Sequence, residues 1–254
     1  MKYVVPTLML ILVLAVPSQA QIINIESKRG NLQDTSGLFG FLDLGFNLTS
    51  NTKTIINTRA SLRLEWLKGK HRLLLLGNYN LVSVNDDRFI NNSFGHLRHG
   101  YELRKWLRWE SFGQIQENEL LRISFRGLLG TGPRFRVFIR EKQQVYLGTL
   151  YMFEYNEVSD TAFIQRDSRL STYLSLALQP SPTLSISNTT YAQPVITNPG
   201  DIRLSSITRL SLKISSRLSY TLTFNITYDS RLSSEAEGVP STVYSFINGL
   251  RWNF

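Results

Sequence analysis

Cysteine is missing from all 254 residues. That excludes disulfide staples, thiolate metal sites and a lipid-anchored amino terminus. Histidine is scarce, with His71, His96 and His99 the full set, so imidazole chemistry has few places to sit. No apolar run reaches the ~18 residues of a transmembrane helix, and the mean hydropathy is −0.12. There is no Gly-rich phosphate loop, no HExxH and no acidic spacing of the calcium-loop kind, so nothing points to a cofactor or a metal. Acidic residues number 19 against 28 Lys and Arg, a net charge of +9. The basic residues are dispersed rather than run together, which argues against nucleic acid. An anionic membrane surface or a small anion remains as a partner of such a chain.

What is present begins with an export signal. Lys2 gives a positive start, Leu8 to Val16 a short apolar core, and Ser18-Gln19-Ala20 a small-residue end. This pattern predicts a cleaved signal peptide over 1–20 and a mature domain over 21–254.

The mature part alternates at period two, segment after segment. Leu38, Gly40, Leu42, Leu44, Phe46 and Leu48 share one face, and Ile56, Thr58, Ala60, Leu62, Leu64 and Trp66 another. Further strands are expected near 73–82, 93–103, 107–116, 121–138, 144–155, 169–179, 183–194, 202–214, 218–229 and 242–254. The expected fold is all-β: one antiparallel up-and-down barrel of about twelve strands, most with the ~9–11 residues that a tilted membrane strand needs.

The two faces decide between a soluble and a membrane barrel. The apolar phase carries no Asp, Glu, Lys or Arg. The opposite phase carries Arg59, Arg63, Arg98, Arg122, Arg126, Arg134, Arg136, Arg169, Arg209 and Lys213, with Glu65, Glu102, Glu110 and Glu154. A soluble sandwich turns its charges outward, whereas a membrane barrel turns them inward because lipid lies outside. Connections alternate in length as well. The short set includes Leu67-Lys68-Gly69-Lys70, Arg104-Lys105 and Arg140-Glu141-Lys142. Longer polar stretches fall at 85–92, 156–167, 195–200 and 230–240. The short set belongs on the periplasmic side. The expected location is the outer membrane of a Gram-negative cell, in contact with its lipid.

The final strand places Tyr244, Phe246, Leu250, Trp252 and Phe254 on one face. This resembles the carboxyl-terminal signature through which barrel-assembly machinery recognises its clients. Tyr244, Phe246, Trp252 and Phe254 are therefore the candidate assembly signal. A broader resemblance rests on NNSFGHLRHGYEL (91–103), WLRWESFGQIQ (106–116), LLGTGPRF (128–135), LYMFEY (150–155) and EGVPSTVYSFINGLRWNF (237–254). Together these resemble the DUF481 family in its Bacteroidetes form, exported barrel proteins related to a salt-induced outer-membrane protein. The resemblance implies architecture and location, and no activity.

Two constellations remain for function. His96, Arg98, Glu102, Glu110, Gln114, Arg122, Arg126 and Arg134 are expected to line the lumen on neighbouring strands. They would form either a salt-bridged plug or a narrow anion-favouring passage. On the lipid phase, a hairpin centred on Lys105 puts His99 across from Ser111, the pair a lipid hydrolase would need. No orienting third group or oxyanion hole accompanies it, so the chain is expected not to be an enzyme. Adhesion through the longer loops is the third alternative.

Overall fold

The structure is a computed structural model that describes Ile25 and residues 36–85, 87–119, 122–140, 142–158, 164–231 and 240–252. The proposed signal peptide, Phe254 and the greater part of 21–35 lie outside the described residues. The strands are β1 (Gly37–Ser50), β2 (Thr54–Lys68), β3 (His71–Val84), β4 (Asp87–Arg104), β5 (Leu107–Asn118) and β6 (Ile123–Arg140). They continue as β7 (Gln143–Val158), β8 (Ile164–Leu178), β9 (Leu184–Pro194), β10 (Ile202–Lys213), β11 (Leu218–Asp229) and β12 (Thr242–Trp252). They form a single antiparallel sheet in sequence order, the up-and-down arrangement that short hairpin connections produce.

Register bears out the alternation. Leu42 faces Leu62 and Leu48 faces Ile56 on the outer surface, while Asp43 faces Ser61 and Phe39 faces Glu65 on the inner one. Among the described side chains, outward-phase charges occur only at strand ends. They are Lys68, Arg104 and Arg140 at the short turns, and Glu117, Glu157 and Arg166 at the long connections. The uncharged outer surface between them is what a hydrocarbon layer tolerates.

Inward side chains show that the sheet curls back on itself. The Tyr173 hydroxyl on β8 donates to Glu110 on β5 at 3.1 Å, and Arg203 on β10 pairs with Glu154 on β7. The ladder ends at β1 and β12, and no pairing between these two strands is found among the described residues. Both strands are exposed over most of their length. In lipid their free N–H and C=O rows need a partner, and each offers the other an antiparallel one. Tyr244, Phe246 and Trp252 lie on the exposed outer face of β12.

Two loops expected from the sequence are largely strand. β4 starts at Asp87 rather than near 93, and β8 at Ile164 rather than near 169. These extensions carry polar residues on both faces, Asn91 and Asn92 on β4 and Gln165 and Arg166 on β8, so no apolar phase marks them.

Candidate functional site: the ionic lumen

Inward positions at one height on successive strands meet inside the sheet and form three layers. Towards the long connections, Glu154 on β7 is the hub, fully buried. It lies 3.0 Å from Arg126 Nε, which itself donates to Asn156 Oδ1 at 3.2 Å, and it accepts from Arg169 Nε at 2.7 Å and from Arg203 Nη1. Arg203 also holds Asp229 at 2.5 Å, its direct cross-strand neighbour. Arg169 reaches Asp201 at 3.2 Å and Asp167 at 3.3 Å. Arg231 closes the far side onto Asp167 at 2.9 Å and onto Asp201. The layer holds four arginines and four carboxylates, a formal charge of zero.

Beneath it lies an apolar layer of Phe112, Leu150, Met152, Tyr173 and Tyr191. Alongside, Ile25 packs on Leu74, Leu76 and Phe94 with 2% of its surface exposed. A residue from the start of the expected mature chain is thus seated inside the barrel.

The third layer, nearer the short turns, centres on Glu110. Arg98 Nη1 lies 3.0 Å from it and Arg134 Nε 3.9 Å. Arg98 Nε donates to His96 Nε2 at 3.3 Å, and His96 Nδ1 meets Gln114 Oε1 at 3.1 Å. An acceptor at Nε2 and a donor at Nδ1 define the neutral Nδ1–H tautomer. Arg134 also stacks its guanidinium over Tyr146, 3.8 Å from the ring centroid, a favourable cation–π position. Below this layer Glu65 binds Arg63 at 2.9 Å and Arg72 at 3.0 Å.

Six of the eight lumen candidates, His96, Arg98, Glu110, Gln114, Arg126 and Arg134, are buried inside. Glu102 sits at the short-turn rim, a third exposed, 3.6 Å from Arg108. Arg122 is a correction to the sequence expectation. It lies exposed in the β5–β6 turn with φ 52°. A register shift between Ile123 and Phe125 breaks the alternation that would have turned it inward. Sequence reasoning overlooked Arg203, Asp229, Asp167, Asp201 and Arg231. The first pair lies within the expected strands 202–214 and 218–229, on the same inward phase as Arg209 and Lys213, and following that phase to the strand ends finds both.

On the outer wall His99 does face Ser111 across the β4–β5 hairpin. The two are nonetheless engaged elsewhere. Ser111 Oγ lies 2.8 Å from Thr131 Oγ1, and His99 Nε2 3.0 Å from His71 Nδ1. With no hydrogen bond between them, the nucleophile–base geometry of a hydrolase is not made.

A twelve-stranded antiparallel sheet, ionic inside and uncharged on its outer belt, is a β-barrel of the membrane-facing class. The chain belongs to the DUF481 family, whose model, described as "Protein of unknown function, DUF481", matches residues 42–246. No curated protein matches the chain. Among solved structures it is similar to a NanC porin, with 9% identity and TM-score 0.47, covering 84% of this chain and 100% of that one. A structure described as a bacterial polysaccharide outer membrane secretin gives 9% identity and TM-score 0.42, covering 86% and 92%.

Proposed function

We propose that the protein is an outer-membrane barrel whose lumen is sealed, a structural component of the envelope rather than an open passage. One observation carries this reading: the neutral layer around Glu154 links β6, β7, β8, β10 and β11 with every cation facing a carboxylate. The inward charges read from the sequence, ten cations against four carboxylates, left out Asp167, Asp201 and Asp229 as well as Arg203 and Arg231. Within the Glu154 layer itself four arginines and four carboxylates cancel, so it presents no net charge to draw an anion through. The apolar layer and the seated Ile25 add a second barrier.

A narrow anion passage is the second reading. It is favoured by the Glu110 layer, where Arg98 and Arg134 share one carboxylate. Recordings from purified protein in planar bilayers separate the two. The sealed barrel gives no current steps above the lipid background. Steps with anion preference, lost in Arg126→Glu combined with Arg134→Glu, would establish the passage instead.

A further inference from the structure

The outer wall from β3 to β7 has a feature that a uniform lipid-facing surface would lack. Gly95, Gly113 and Gly127 point outward on neighbouring strands and floor an apolar groove of about 500 Å³, walled by Leu97, Ile115 and Phe153. None has a positive φ. A methyl group at Gly113 would meet its nearest neighbour, Leu129, at 3.5 Å, and one at Gly127 would meet Phe125 at 3.4 Å, both ordinary contacts, while one at Gly95 would need the Ile115 side chain, 3.3 Å away, to give slightly. Two inward glycines of the neighbouring strands differ: a Cβ on Gly132 would lie 2.3 Å from the Thr149 carbonyl oxygen, and one on Gly148 2.2 Å from Tyr173. Glycine inside a strand weakens it and is expected where another molecule approaches closely. Gly132 and Gly148 answer to the chain's own packing. Gly113 and Gly127 leave space that the chain does not fill.

The surroundings of the groove specify what fills it. One pleat nearer the short turns, His99, Ser111 and Thr131 stand in register across β4, β5 and β6. Trp109 Nε1 donates to Thr131 at 2.9 Å. This row of hydroxyl and imidazole groups lies at the groove's short-turn end. Beyond it, the last outward strand residue before each of the first three short turns is a cation: Lys68, Arg104 and Arg140, all exposed. The equivalent outward positions on β8 and β10 are Leu178 and Leu212. The cations therefore stand on the same half of the wall as the groove.

We propose that this half of the wall binds an anionic glycerophospholipid of the leaflet facing the short turns. An acyl chain lies in the glycine-floored groove, the ester region meets the His99–Ser111–Thr131 row, and the phosphate lies among the cations. The proposal rests on the membrane reading of the barrel and goes beyond it by naming a lipid class and a place. Apolar fill, polar middle and cationic end follow the order of groups along such a lipid.

The test uses the full mature chain inserted into phosphatidylcholine vesicles. Each preparation carries a trace of either phosphatidylglycerol or phosphatidylcholine with a photoreactive group on one acyl chain. Insertion is checked by protease resistance and heat-dependent gel mobility. Adducts of phosphatidylglycerol are expected on β4–β6 in about tenfold excess over those on β10–β11, a bias well short of tight binding. Gly113→Leu with Gly127→Leu removes that excess. Arg104→Glu with Arg140→Glu, at exposed strand ends, lowers it for phosphatidylglycerol but not for phosphatidylcholine. Even labelling around an inserted barrel overturns the site and leaves the membrane reading standing. Equal excess for the two lipids overturns the anionic assignment. A chain that does not insert overturns the membrane reading and the site with it.

Discussion

Glu154→Gln is expected to cost the folded barrel about 3–5 kcal/mol, the penalty for breaking a buried ion pair and leaving its partners uncompensated. Arg126, Arg169 and Arg203 all point at this carboxylate, which is wholly buried. Glutamine keeps the size of the side chain and can still accept hydrogen bonds, so the loss reports charge rather than a cavity. Four arginines would then face three carboxylates in a space with little water. Glu102→Gln is the control. Its partner Arg108 lies 3.6 Å away, and the pair sits at a partly solvated rim, where exposed ion pairs contribute ~0–1 kcal/mol. Urea unfolding from vesicles, followed by tryptophan fluorescence, measures both variants. Equal losses would show that the Glu154 layer is not a structural element.

Leu62→Arg and Phe224→Arg are expected to destabilise the barrel by ~2–4 kcal/mol, the cost of a cation on the lipid face near the middle of the bilayer. Both residues stand on the outward phase, Leu62 against Leu42 and Gly77, Phe224 against Thr208 and Phe246. Ser61→Arg moves the same charge one residue along, onto the inward face, where Ser61 donates to Asn78 at 3.0 Å. There the guanidinium meets polar groups instead of lipid, and the loss is smaller. The same unfolding assay compares the three. If inward and outward positions suffer alike, the outer wall does not face lipid.

The sequence carried the fold through its alternation, because a barrel wall separates two solvents and each residue must choose one. All twelve strands were legible for that reason, as was the pairing of His99 with Ser111, which the turn at Lys105 and Trp106 sets together with a register shift between Glu102 and Arg104. Alternation fails where both sides are aqueous. The outer ends of β4 and β8 were therefore read as loop, and Asp167 with them. It fails again at a bulge, which moved Arg122 out of the lumen. The Glu154 layer was half legible, since Arg126, Arg169 and Glu154 share the inward phase. Asp201 and Arg231 join it from connections, through contacts that no local pattern encodes. Ile25 is harder still: its neighbours Leu74, Leu76 and Phe94 lie about fifty residues or more along the chain.

The absence of cysteine permits the most direct test of the membrane barrel itself. Single cysteines placed in turn from Ser219 to Ile226 along β11, each carrying a nitroxide label, report collision with oxygen and with a water-soluble nickel chelate in vesicles. The barrel predicts a period of two. Tyr220, Leu222, Phe224 and Ile226 positions collide mainly with oxygen, which concentrates in lipid, and Ser219, Thr221, Thr223 and Asn225 positions show the reverse ratio. Nickel access at the first set, or no alternation along the strand, would contradict the account.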